Sequence, residues 1–235
     1  MKNINLKFKI IFIAVFTVLI TNYQLPITSA QTSPQFLVSW QAQSYVPAWY
    51  EGKIIPSAGS KVSVSFELID GGKIVNLSQT AVRWYLGDKL VKNENSGLGI
   101  KNYSFINNNY GNDSVDVRIS LPDYNGNTLD KVISIPLKSP EIDLETKKYD
   151  RKLSKGDNLI IGWPFFFNTN DVKNLAFSWS AQGNGVDLSS KNLLFFNVNI
   201  GADIQSGTSV MVQSFAQNLK NNIESARKLM QFEVE

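Results

Sequence analysis

Tyr45, Trp49 and Tyr50 fall within six residues of one another, beside Pro47 and Gly52. Large rings in a segment between strands stack on sugar rings or anchor a protein interface. The same residues also suit a lid, because an amphipathic ring can close the end of a core while its polar tip stays wet. A second aromatic group lies in Ile160-Ile161-Gly162-Trp163-Pro164-Phe165-Phe166-Phe167, which is apolar at both parities. A half-exposed strand should alternate, so its second face needs a cover. Trp163, Phe165, Phe166 and Phe167 are therefore candidate interface residues. Coverage by the first half of the chain is preferred to another protein, since exposed apolar patches of that size are uncommon on monomers.

Other chemistry is narrowed by what is missing. The chain has no histidine and no cysteine, which removes the Ser-His-Asp triad, the Cys-His pair and histidine-ligated metal sites. It also removes disulfides and a cysteine-linked lipid anchor. Carboxylate-pair, Ser-Lys and calcium chemistry remain. Asp123-Tyr124-Asn125-Gly126-Asn127-Thr128-Leu129-Asp130 places oxygen ligands at alternate positions, but its glycine stands fourth and a distal bidentate glutamate is absent. A hairpin turn explains every residue of it better than calcium does. Gly97-Leu98-Gly99 lacks the third glycine of a nucleotide fingerprint. Asn76-Leu77-Ser78, Asn102-Tyr103-Ser104 and Asn112-Asp113-Ser114 match the glycosylation acceptor pattern, as chance matches in an Asn-rich chain. No enzyme, cofactor or metal is expected.

Residues 1–30 read as an export signal. Lys2, Lys7 and Lys9 precede an apolar run from Ile10 to Ile20, and Thr28-Ser29-Ala30 gives a cleavage site after Ala30. An uncleaved anchor is the alternative, but Thr21, Asn22, Gln24 and Pro26 interrupt the run well short of the roughly 20 apolar residues a span needs. Three of the 23 Lys and Arg residues lie in this segment and none of the 20 Asp and Glu, so bases and acids balance at 20 each in the remainder. That balance argues against a nucleic-acid partner. The basic stretch Lys147-Lys148-Tyr149-Asp150-Arg151-Lys152 carries its own acid and reads as a solvated turn. The expected location is extracytoplasmic (cell surface, periplasm or secreted), with membrane attachment only through an uncleaved N-terminal segment.

Positioning these residues falls to short strands. Val62, Val64, Phe66 and Leu68 alternate with polar residues, as do Val115, Val117, Ile119 and Leu121. Gly87-Asp88 and Asn125-Gly126 mark hairpins. The order then repeats. Leu159, Ile161, Trp163 and Phe165 take the place of the Val62 strand, Trp179 that of Trp84, and Met230, Phe232 and Val234 that of Ile133, Ile135 and Leu137. Pro136 and Pro140 end one sheet and begin another. The expected organisation is a signal at 1–30, one β-sandwich at 34–137 and a second at 141–235. Trp84 and Trp179 are matching core residues. Gln217 to Ile223 reads as a polar connection, and Ile223 to Leu229 as extended rather than helical.

The segment Val82-Arg83-Trp84-Tyr85-Leu86-Gly87-Asp88-Lys89-Leu90 resembles the central strand and hairpin of an immunoglobulin-like domain, and the Val115-to-Leu121 strand with its Asn-Gly turn is similar to that fold's last hairpin. The chain looks most like cysteine-free immunoglobulin-like or PKD-type repeats of bacterial envelope proteins. The resemblance implies an all-β chain of two tandem antiparallel immunoglobulin-like sandwiches. It implies a non-enzymatic interaction, adhesion or structural module with a protein or glycan partner at the cell surface. A carbohydrate-binding module using the loop 45–50 and a fimbrial-type assembly chaperone are the alternatives. A carboxylate glycosidase is the enzyme option; it would need two acids across a cleft.

Overall fold

A computed structural model describes residues 33–110, 113–147, 150–186 and 194–235. Residues 1–30, expected to be an export signal, Asn112 of the third acceptor pattern, and Lys148 and Tyr149 of the basic stretch lie outside the described residues.

Sixteen strands make up the described fold. The first eight are β1 (Gln35–Ala42), β2 (Lys61–Asp70), β3 (Lys73–Ile74), β4 (Arg83–Leu86), β5 (Lys89–Lys92), β6 (Asn102–Ile106), β7 (Ser114–Tyr124) and β8 (Asn127–Pro136). They form one sheet in which β2 pairs with β1, β3 and β6, and another in the order β5-β4-β7-β8. The end of the β2–β3 hairpin, Leu68–Val75, belongs to a small separate unit, in which Ile69 pairs with Ile74 and Asp70 with Lys73.

The other eight are β9 (Glu141–Thr146), β10 (Lys152–Leu153), β11 (Gly156–Phe165), β12 (Leu175–Ala181), β13 (Asn184–Val186), β14 (Phe195–Ile200), β15 (Ser209–Asn218) and β16 (Asn221–Val234). Their sheets run β14-β11-β9 and β10-β16-β15-β12-β13. The strand order of the first set therefore recurs without a counterpart to β3 and with β10 added as a short parallel partner to the end of β16. Each set has the strand order of an immunoglobulin-like β-sandwich. The fold class is all-β, built from antiparallel sheets of that kind.

Period-two burial creates both cores. In β2, Val62, Val64 and Phe66 are buried while the residues between them are not. In β7, Val115, Val117, Ile119 and Leu121 are buried. Trp84 on β4 is fully buried, meets Phe66 of the opposing sheet edge-on at 5.7 Å, and donates Nε1–H to the Ile100 carbonyl at 2.9 Å. Trp179 on β12 is equally buried and stacks on Phe196 of β14 at 5.1 Å. Asn125 and Gly126, both at positive φ, turn β7 into β8, so the Asp123–Asp130 segment is a hairpin. The segment from Ile223 to Leu229 is strand, within β16.

The phase of β11 differs from the expectation. Leu159, Ile161 and Trp163 were expected on the core side, yet Ile160, Gly162 and Pro164 are buried, and Leu159 is 43% exposed. The space facing the core at this point is filled by the Trp179 indole. A Cβ on residue 162 would lie 2.9 Å from Trp179 Cζ2, so only glycine fits beneath the ring. Phe165 shares the parity of Leu159, Ile161 and Trp163 yet is buried, with the rings of Trp49 and Tyr50, from the loop between β1 and β2, packed against it. Phe166, at φ 60, ends the alternation, and Phe167 beyond it is buried in the core of the β9–β16 strands.

Among the described residues no helix is long and apolar enough to cross a membrane.

Candidate functional site

The loop joining β1 to β2 carries Tyr45, Trp49 and Tyr50. It leaves β1 through Tyr45, which forms an isolated antiparallel bridge with Phe167. The Tyr45 N–H donates to the Phe167 carbonyl and the Phe166 N–H donates to the Tyr45 carbonyl, each at 2.7 Å. This pair of bonds holds Phe166 in its left-handed conformation, a cost a bulky residue bears only where its surroundings fix it. The Tyr45 side chain packs against the core of the β9–β16 strands. Burial raises the Tyr45 pKa, and the nearby Asp171 carboxylate adds to the rise.

A turn follows in which the Tyr50 N–H donates to the Pro47 carbonyl at 2.9 Å. The Tyr50 ring folds back over Gly52, where any Cβ would meet its Cζ at 2.4 Å. The ring lies 5.7 Å from Phe165 and 6.1 Å from Phe166. The ring of Trp49 meets Trp163 edge-on at 5.5 Å and Phe165 at 5.8 Å. At the far end Lys53 ties the loop to β1, its ammonium donating to the Trp40 carbonyl at 2.5 Å and lying 4.2 Å above that ring. The aromatic loop and the apolar run are thus one cluster, and the loop covers the Trp163–Phe167 end of the run.

The three loop rings do different work. Tyr45 and Tyr50 are half-buried against Phe165, Phe166 and Phe167, whereas Trp49 is 55% exposed. Trp49 and Trp163 border a groove of about 740 Å³ on the outward face of β9 and β11. In the strand register Trp163 stands opposite Asp143 and Ile161 opposite Glu145, so indole, aliphatic chain and two carboxylates share that face. Trp163 Nε1–H donates to Glu145 Oε2 at 2.6 Å, which fixes the indole in its plane. Asp143 pairs loosely with Lys228, at 3.9 Å. A neighbouring hollow of about 770 Å³ shares Glu145, Thr146 and Ile161 and continues the groove past Leu159 to Asp157.

A buried polar joint stands beside the aromatic cluster. Glu224 on β16 is buried, and its carboxylate accepts from the Asn168 N–H at 2.7 Å, Asn218 Nδ2 at 2.5 Å and Ser57 Oγ at 3.4 Å. Ser57 in turn accepts from Asn107 Nδ2 through its carbonyl at 2.9 Å. Sequence reasoning missed this joint. Its members are scattered along the chain as ordinary Ser, Asn and Glu, with no spacing that marks them.

Among the described residues no three acidic, histidine or cysteine side chains gather to hold a metal. The groove offers surface for stacking and hydrogen bonding.

No protein-family model matches the chain, and no curated protein matches it. Solved structures do. The three N-terminal domains of the bacteriophage RB49 highly immunogenic outer capsid protein match over 85% of this chain and 59% of that one, at 10% identity and TM-score 0.41. Fibronectin(III)-like modules of Clostridium thermocellum CbhA match over 84% of this chain and 93% of theirs, at 9% identity and TM-score 0.29. The ICAM-5 D1–D4 ectodomain fragment matches over 85% and 53%, at 8% identity and TM-score 0.30. The chain thus spans under two thirds of the capsid protein fragment. The fold assignment rests on strand order.

Proposed function

We propose that the chain is a non-enzymatic interaction module of the cell envelope, exported by residues 1–30 and working outside the cytoplasm. On this reading residues 34–137 and 141–235 are two sandwich modules. Tyr45, Tyr50 and the Phe165–Phe167 run fasten them, and Trp49 with Trp163 presents the contact surface. The observation that carries the reading is the contrast within one short loop. Two rings turn inward, while Trp49 stays more than half exposed above a groove, held by edge contacts to Trp163 and Phe165. A rigid, exposed indole loses little entropy on binding and is the residue type most enriched among energetic anchors.

Wild-type chain, Trp49→Ala and Tyr50→Ala are compared for melting temperature and for capture of envelope components from the native host. Trp49→Ala is expected to lose the captured component with its melting temperature nearly unchanged. Tyr50→Ala is expected to lower the melting temperature. Equal capture by Trp49→Ala and wild type would remove the groove as the contact surface.

A further inference from the structure

We infer that the groove bordered by Trp49 and Trp163 takes a neutral oligosaccharide laid along the outward face of β9 and β11. The inference rests on the interaction-module reading and names the ligand class of that same site.

The floor is a line of outward side chains on β11, Leu159, Ile161 and Trp163, at every second residue. Four residue steps of strand extend about 13 Å, and the Trp49 ring stands at the Trp163 end, so the floor accommodates more than one sugar ring. Stacking on flat apolar surface recognises the C–H face of a pyranose. The side walls supply the other half of what a sugar needs. Asp143, Glu145 and Asp157 line the two connected hollows with Lys147, Arg151 and Lys152. With Lys228 paired to Asp143 as well, acids and bases at the groove balance to within one charge, so no strong single-sign field favours a polyanion or a polycation. They still offer acceptors and donors together. An uncharged polyhydroxylated chain, which both gives and takes hydrogen bonds, matches that distribution. Glu145 already accepts from the Trp163 indole through one oxygen, so the ring that stacks and the acceptor beside it are set in place before a ligand arrives.

The test uses the full chain and a panel of neutral hexasaccharides of glucose, mannose, xylose and N-acetylglucosamine in α and β linkage. Binding is followed by tryptophan fluorescence and calorimetry. At least one hexasaccharide is expected to bind saturably, with a Kd insensitive to added salt. Trp49→Ala is expected to weaken it by about 30-fold or more, as for an interface anchor. Glu145→Gln, which keeps the shape of the wall, is expected to weaken it less. Failure of every hexasaccharide, with Trp49-dependent capture of a protein or a charged polymer, overturns the glycan inference and leaves the interaction module standing. Failure of every hexasaccharide with no Trp49-dependent capture of anything overturns both.

Discussion

Gly162 lies flat beneath the indole of Trp179, close enough that a methyl group on residue 162 would sit 2.9 Å from Cζ2 and 3.0 Å from Cη2. Trp179 is buried between Phe196 and this glycine and has nowhere to retreat. Gly162→Ala is therefore expected to destabilise the fold by about 1–3 kcal/mol through overpacking. Urea unfolding checks it, and a stability equal to wild type would show that the ring can move.

That contact also marks where the sequence stops being legible. Alternation fixed the core faces of β2 and β7, because Val62, Val64, Phe66 and Val115, Val117, Ile119 are separated by polar residues. In β11 the stretch Leu159-Ile160-Ile161 is apolar at both parities, so periodicity carries no phase, and a ring from β12 decides which parity faces the core. The aromatic loop and the apolar run each stood out by composition, and the need for a cover over the run followed from its missing alternation. That the loop meets the run depends on the Tyr45–Phe167 bridge, a pairing between residues more than a hundred positions apart. The Glu224 joint left no trace at all, since hydrogen bonding between distant polar side chains has no period.

Glu224 is expected to hold its neighbours in place out of proportion to its size. Glu224→Ala leaves the part-buried Asn168 N–H without its acceptor and takes one of two acceptors from the Asn218 amide, which still donates to the Asn168 carbonyl at 3.0 Å. A stranded donor costs about 1–3 kcal/mol. The expected result is a clear loss of stability, with faster amide exchange at Asn168 as its local signature. Ser57→Ala, which removes only the long 3.4 Å contact, is expected to cost much less.

Ser214 is the opposite case. Its Oγ is buried next to Gly162 and has no hydrogen-bond partner among the described residues. An unpaired buried hydroxyl carries its desolvation cost with no return. Ser214→Ala is expected to leave the melting temperature unchanged or to raise it. A marked drop would mean that an ordered water satisfies the hydroxyl.

Tyr45 is expected to make the aromatic cluster sensitive to alkali. Burial first, and then the Asp171 carboxylate, raise its pKa in the fold above the ordinary value of 10.0. Burial raises that of Tyr103 as well. A phenol loses a proton to become charged, so above its unfolded pKa the unfolded chain binds fewer protons than the native one, and stability falls as pH rises. The contribution is whole below pH 10.0 and is lost as pH climbs through the raised folded value. Neutral-pH stability is untouched by it. Tyr45→Phe keeps the ring that packs on the β9–β16 core and removes the ionisation. It is expected to flatten the alkaline limb of the stability curve, with Tyr103→Phe flattening a further part. Melting temperatures across the alkaline range, read beside phenolate absorbance, check this. An alkaline limb identical in wild type and Tyr45→Phe would mean that the Tyr45 hydroxyl reaches water in the folded chain, and that its ring covers the Phe167 end of the core less tightly than the bridge between them implies.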